Sequence, residues 1–70
     1  MSDLPLDAIF LVRDTSGRGY KTKLPLAALL KLWPDSVSDS GIELPEWAED
    51  AQISDQYRDS DNAVLIVRIS

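Results

Sequence analysis

The hydrophobic pattern of the chain is dominated by two short apolar runs near its two ends. One spans residues 8–13 and the other residues 63–69, and each starts at an alanine, continues with four large apolar side chains and then reaches an arginine. Runs this short, rich in β-branched and aliphatic residues, are typical of buried strands. We therefore expect them to pair side by side at the centre of one sheet, with the intervening chain as its cover.

Two weaker strands are predicted beside the apolar runs. Residues 20–23 alternate Lys21 and Lys23 with less polar residues, a pattern typical of a sheet edge, where lysines discourage unwanted pairing. Residues 55–58 give a second short strand, followed by a turn of acidic and polar residues.

The two glycines within residues 14–19 favour a hairpin loop. A phosphate-binding glycine loop is the alternative, but neither a P-loop lysine nor a following helix supports it.

Two helices are predicted between the strands. Residues 24–33 place apolar side chains at the i, i+3, i+4, i+7 spacing of one helical face, and Pro34 ends the element. Residues 44–52 repeat this spacing over a shorter length. The apolar faces consist of Leu26, Leu29, Leu30 and Trp33 in the first helix, widened by Leu24, Ala28 and Leu32, and of Leu44, Trp47, Ala48 and Ala51 in the second.

The order of these elements predicts a single α+β domain over residues 1–70. Two hairpins place strand 2 beside strand 1 and strand 3 beside strand 4, so the ββααββ order gives an antiparallel sheet of order 2-1-4-3 with both helices on one face. Both faces of the central strands are aliphatic, whereas a half-exposed sheet should alternate apolar and polar residues. Either the helices divide between the two faces, or something else covers an apolar patch. We favour the patch, which consists of Ile9, Leu11, Val64 and Ile66.

The composition excludes much catalytic chemistry. The 70 residues include no cysteine and no histidine, so a thiolate nucleophile, a Ser-His or Cys-His pair and an imidazole proton shuttle are all ruled out. The acidic residues between positions 35 and 43 lack the glycine and terminal glutamate spacing of a calcium loop. We expect no enzyme activity, no metal site and no cofactor.

The N-terminal residues and the size of the chain add two expectations. The first residues have neither a basic flank nor a long apolar run, so the sequence predicts no signal peptide, no membrane span and a cytoplasmic protein. A domain of this length buries only about 60% of its unfolded surface. Association of two copies through the apolar patch would add buried area, and a homodimer is therefore one expectation.

Charge is distributed unevenly along the chain. Residues 1–33 hold five basic and three acidic residues, whereas residues 34–70 hold two basic and nine acidic ones, and the net charge is −5. Such an excess repels nucleic-acid phosphates and suits a basic protein surface. The predicted partner-binding face centres on Glu46, Glu49 and Asp50, with Asp35, Asp39, Asp55, Asp59 and Asp61 around it.

The segment after residue 46 contains Trp47, Ala48, Ala51, Ile53, Asp55 and Tyr57, and it leads into the apolar run that begins at Val64. With the small size and negative charge, this arrangement resembles small acidic inhibitor proteins encoded by phages and prophages, of the anti-CRISPR kind. The resemblance implies a non-catalytic inhibitor that blocks a basic, nucleic-acid-binding surface of a complex in a bacterial host. The alternative is a small homodimeric structural or regulatory accessory protein that uses its apolar sheet face.

Overall fold

Four strands and two helices follow one another in the predicted order. A computed structural model of the protein describes residues 4–70. Within this range the elements are β1 (Ile9–Asp14), β2 (Lys21–Pro25), α1 (Leu26–Leu32), α2 (Leu44–Asp50), β3 (Gln56–Asp59) and β4 (Val64–Arg68). The strands form one antiparallel sheet of order β2-β1-β4-β3, which confirms the α+β class and the predicted strand order.

The two apolar runs are the central pair of the sheet. Phe10 lies opposite Arg68 and Val12 opposite Ile66 in the β1–β4 register. Because side chains directly opposite each other in an antiparallel pair share a face, this register places Val12 and Ile66 together. Both are almost completely buried, with 1% and 0% of their surface exposed.

Both helices pack on this same face of the sheet. A single core cluster joins Phe10, Val12, Tyr57, Val64 and Ile66 of the strands to Leu26, Leu29, Leu44 and Ala48 of the helices. The Trp47 ring extends the cluster, since its centroid lies 5.6 Å from that of Phe10 and 5.1 Å from that of Tyr57. Tilted pairs at these distances are favourable beyond the apolar area that they bury.

The first helix is shorter than the pattern predicts. Leu24 and Pro25 pair with Phe10 and Ile9 as the end of β2, and Pro25 has an extended ψ of 159°. A proline lacks an N–H, so it is tolerated at a strand end and just before the first turn of a helix. Leu32 was predicted to widen the buried stripe, but it is 57% exposed, because the helix ends at this residue and its far side faces no other element.

The second helix begins where predicted and ends two residues early, at Asp50. The Arg68 guanidinium donates a hydrogen bond of 2.6 Å from Nη1 to the Ala51 carbonyl oxygen, which ties this helix end to β4. A carbonyl after the last helical turn has no partner within the helix, so the arginine satisfies it.

Neither helix of residues 4–70 is long and apolar enough to cross a membrane.

The predicted apolar patch is wrong in half of its members. Val64 and Ile66 are 2% and 0% exposed and lie in the helix-covered core. Ile9 and Leu11 are half-buried on the opposite face, where Val67 lies directly across from Leu11. The reason is the register: it pairs the even-numbered positions of β4 with those of β1, so Leu65 and Val67 share the outer face with Ile9 and Leu11.

Neighbouring lysine substitutions in β4 test this assignment. We expect Ile66→Lys to abolish folding, because it buries an unpaired charge among Val12 and Tyr57. Val67→Lys should fold with a loss of about 1 kcal/mol, since its side chain lies on the open face and only strand propensity and partial packing are lost. Circular dichroism and urea unfolding of both variants provide the measurement. Equal losses of stability in the two variants would contradict the register.

Candidate functional site

Three of the predicted acidic residues converge on one surface. Glu46 and Asp50 of α2 line a depression of about 270 Å³ together with Asp55, and Ile42 and Trp47 form apolar parts of its wall. We call this depression, which also includes Ala51, the acidic groove. It combines three exposed carboxylates with an aromatic ring and an aliphatic side chain that is 39% exposed.

The local sequence explains why these carboxylates face outward. Leu44 and Ala48 are buried against the sheet, so Glu46 and Asp50, one turn apart, lie on the exposed side of α2. Asp55 is brought back by a turn in which Ser54 has a positive φ of 80°. The Asp55 carboxylate accepts a 2.8 Å hydrogen bond from the backbone N–H of Gln52, which fixes this turn.

Trp47 connects the core to the acidic groove. Its ring packs on Phe10 and Tyr57 inside the domain, yet the residue is only half-buried. It also lines a second depression of about 470 Å³, shared with Ile42 and extending to Arg58 and Leu65 at the β3 edge. An aromatic ring held rigidly by the core and partly exposed is the kind of side chain that dominates protein–protein binding.

The remaining acidic residues are dispersed. Glu49 is exposed on α2 but does not line the acidic groove. Asp35 lines a separate, smaller depression beside Glu43 in the α1–α2 connection. Asp61 is exposed in the turn between β3 and β4. The predicted acidic face is therefore only partly one surface.

Asp39 is already engaged within the chain. Its carboxylate accepts hydrogen bonds from the Ser60 hydroxyl at 2.6 Å and from the Ser60 backbone N–H at 3.0 Å. These bonds lower the pKa of Asp39, with a smaller contribution from the nearby Arg58. The Asp39 backbone N–H also donates to the Arg58 carbonyl oxygen at 3.0 Å. This loop therefore covers part of the exposed edge of β3.

Asp59 does not belong to the binding face, contrary to the sequence prediction. It is 1% exposed, and its carboxylate accepts hydrogen bonds from the Ser36 hydroxyl at 2.6 Å and the Asn62 side-chain amide at 2.7 Å. The backbone N–H groups of Asp61 and Asn62 donate to its other oxygen. Burial raises the pKa of Asp59, but these donors outweigh the burial and the net pKa is lowered.

The Ser36 hydroxyl links the α1–α2 connection to β3. It has one proton, which it donates to Asp59, so its 2.8 Å contact with the Tyr57 hydroxyl makes Tyr57 the donor. Burial raises the pKa of Tyr57, which keeps its proton in place. Ser36, only 3% exposed, is a buried polar residue that the hydrophobic pattern of the sequence does not indicate.

A second surface lies on the open side of the sheet, and the sequence indicates only part of it, the edge lysines Lys21 and Lys23. Ten strand positions face this side, and we call them the basic sheet face. They comprise four cations, four aliphatic residues, a glutamine and a proline: Arg13, Lys21, Lys23 and Arg58, then Ile9, Leu11, Leu65 and Val67, then Gln56 and Pro25. The sequence signal for this face is the alternation of Tyr57 with the polar Gln56 and Arg58, but it assigns the faces of β4 only once the β3–β4 register is known.

The described residues offer no metal site. Among residues 4–70, no group of three or more acidic side chains is close enough to hold an ion.

Asp14, at the start of the β1–β2 loop, is bound by its neighbour Ser16, whose hydroxyl and backbone N–H lower the pKa of this carboxyl.

The comparisons give no relative from which to assign these surfaces. The chain matches no protein-family model, and no curated protein or solved structure is significantly similar to it. The resemblance to phage inhibitors therefore stays a prediction, and function is inferred from the geometry of the two surfaces.

Replacement of Asp59 by Asn should change how stability depends on pH. Because the folded pKa of Asp59 is lowered, its contribution to stability is fully present above the unfolded value of about 3.9 and is lost as the pH falls through the folded pKa. Asp59→Asn should cost about 1–3 kcal/mol at pH 7, and this cost should become smaller as the pH falls from 5 to 3. Urea unfolding at these pH values measures the difference. Asp61→Asn, two residues away and exposed, is the control. A stability difference between the wild type and Asp59→Asn that does not change with pH would contradict the assignment.

Proposed function

We propose that the protein is a non-catalytic protein-binding module that docks its acidic groove on a basic surface of a partner protein. The observation that supports this most directly is the convergence of Glu46, Asp50 and Asp55 around the exposed edge of Trp47 and Ile42. The absence of cysteine and histidine from the whole sequence supports the non-catalytic part of the proposal.

The acidic groove matches the chemistry of a lysine or arginine anchor. A partner cation that enters the groove can approach the Trp47 ring while its charge faces the carboxylates of Glu46 and Asp50. Its methylene stem can pack on Ile42, which is 39% exposed. Electrostatic attraction from the rim would mainly speed association, whereas the ring and the aliphatic contact would slow dissociation.

The arrangement of the carboxylates is unfavourable for the isolated fold. Glu46 and Asp50 form a like-charge pair at i, i+4, which destabilises a helix by a few tenths of a kcal/mol. Asp50 also lies in the last turn of α2, where a negative charge opposes the helix dipole and no basic residue is present. Features that weaken a fold locally are expected at functional surfaces.

The same proposal accommodates an inhibitory role. A basic surface that binds nucleic acid in a bacterial host complex would be blocked by an acidic groove with an aromatic anchor, and such a complex would place the protein in the cytoplasm. Support for this narrower role comes only from the acidic charge of residues 34–70 and the exposed position of the groove.

Reversing one charge in the groove should weaken binding while stabilising the fold. The probe is an 18-residue amphipathic peptide with a leucine stripe and flanking lysines, and the readout is Trp47 fluorescence in a Trp33→Phe background. We expect Asp50→Lys to reduce affinity roughly tenfold, equivalent to about 1.4 kcal/mol. The same change should raise the free energy of unfolding by about 0.5–1 kcal/mol, since a lysine four residues after Glu46 forms a favourable pair near the helix end.

Glu49→Lys is the matched control, because it changes the net charge equally on the same helix but outside the acidic groove. We expect it to alter affinity less than about twofold at 0.15 M salt, where charges beyond about 8 Å are screened. If Glu49→Lys and Asp50→Lys weaken the peptide equally, general charge rather than the groove accounts for binding, and the proposal fails.

A further inference from the structure

The basic sheet face has a graded arrangement of charge and apolar surface. Across the sheet, one row consists of Lys21, Arg13, Leu65 and Arg58, and the next consists of Lys23, Leu11, Val67 and Gln56. Pro25 and Ile9 follow, and the Ile69 backbone N–H donates to the Ile9 carbonyl oxygen at 3.0 Å. One end of the face is therefore cationic and the other end apolar, with a mixed row between them.

The charge of this face is one-sided and unfavourable for the fold. Four of the seven basic residues of the chain lie here, and none of the ten strand positions is acidic, although the net charge is −5. Arg13 and Lys21 lie directly opposite each other, and a like-charge pair in this position destabilises a sheet. The carboxylates of Asp14 and Asp39, which line depressions shared with Arg58, are bound by Ser16 and Ser60.

We propose that the basic sheet face is a second docking surface, and that its occupant is an acidic amphipathic helix of a partner protein. A depression of about 430 Å³ lined by Arg13, Arg58 and Leu65 can receive a carboxylate of the partner helix, and the one carboxylate in its lining, Asp14, is already bound by Ser16. Leu11 and Val67, in the adjacent row, offer half-buried apolar surface for the apolar stripe of the same helix. This surface goes beyond the acidic groove, which lies on α2 and the chain segments on either side of it.

The dimensions of the face suit one helix. Four strands about 4.8 Å apart make a face roughly 15–20 Å wide, and a helix with its side chains is about 10–12 Å in diameter. Such a contact is smaller than a standard protein–protein interface. We therefore expect a dissociation constant of roughly 1–100 µM for an isolated helix.

The chemistry of the face favours a protein over a nucleic acid. Single-stranded nucleic acids bind where cations are combined with aromatic rings for base stacking. None of the five aromatic residues is among the ten strand positions of this face. Trp47, packed against the buried Phe10 and Tyr57, reaches only the β3 edge of the face, through the depression that it shares with Arg58 and Leu65. Trp33 packs against the core, and Tyr20 lies ahead of β2. The centre of the face is occupied by aliphatic side chains, which match an apolar helical stripe.

A second copy of the chain fits this face poorly. Two copies stacked face to face about a two-fold axis parallel to the strands would bring Arg13, Lys21 and Arg58 against the same cations of the other copy. An axis across the strands would instead place these cations over the apolar end of the other copy, where they have no acidic partner. A head-to-tail contact between the acidic groove of one copy and the basic sheet face of the next generates open chains of molecules unless its rotation happens to close a ring. A partner with its own acidic helix avoids both difficulties.

Titration of the ¹⁵N-labelled chain of 70 residues tests the proposal. The probe is an 18-residue amphipathic peptide with a leucine stripe and flanking glutamates, and an otherwise identical lysine peptide is its control. We expect the glutamate peptide to shift the backbone amide resonances of Leu11, Leu65 and Val67, and its affinity to fall about tenfold between 50 mM and 300 mM salt. Equal shifts of these three resonances by the lysine peptide, or shifts confined to α2, would overturn the proposal.

Charge reversal in β1 separates binding from folding. Arg13→Glu should weaken the glutamate peptide at least about tenfold, and it should raise the melting temperature by roughly 2–5 °C because the new carboxylate faces Lys21. Lys31→Glu changes the net charge equally on the exposed side of α1 and should weaken the peptide less than about twofold. Equal weakening by the two variants would show that only net charge matters and would overturn the proposal.

Two further outcomes would assign the face to another occupant. Tighter binding of a 15-nucleotide oligo-dT than of the glutamate peptide, lost in Arg13→Glu, would identify a nucleic-acid surface and reject the acidic helix. Light scattering that shows a dimer of the wild-type chain and a monomer of Arg13→Glu would identify a second copy instead. A wild-type monomer that binds the peptide more tightly than the oligonucleotide supports the proposal.

Discussion

The register between β1 and β4 is the constraint on which the rest of the structure depends. It sets Val12 against Ile66 and Leu11 against Val67, and every assignment of a side chain to the core or to the open face follows from it. A shift by one residue would exchange the two faces of β4, bury Leu65 and Val67, and expose Val64 and Ile66. The same register aligns Arg13, Leu65 and Arg58 in one row and thereby creates the basic sheet face.

The sequence predicted the elements and their order well because these depend on local periodicity. The two apolar runs, the helical spacing of Leu26 and Leu29, and the hairpin lengths were sufficient to place four strands in the order that the structure has. The face assignment of β4 could not be derived from periodicity, since both its odd and its even positions are aliphatic. Only the cross-strand partner, Tyr57 opposite Ile66, distinguishes them, and that is a tertiary relation.

The candidate surfaces were predicted only in part, for a similar physical reason. Glu46 and Asp50 follow from the helical period, which puts them opposite Leu44 and Ala48. Asp59 has the same charge and a similar sequence context, yet the fold surrounds it with Ser36 and three other hydrogen-bond donors. The order of charged residues along the sequence does not show which acidic side chains accept hydrogen bonds within the folded domain. Nor does it reveal that basic residues distant in sequence share one face of the sheet.

The central position of the first and last strands governs the order in which the molecule can assemble. Phe10 and Arg68 are neighbours in the sheet but 58 positions apart in the chain, so the β1–β4 pair closes the longest loop in the fold. The β1–β2 and β3–β4 hairpins are local and can form early, but each alone is marginally stable in water. During synthesis the core therefore cannot close until β4 has left the ribosome. Until then, the apolar residues of β1 are accessible to chaperones and to other nascent chains.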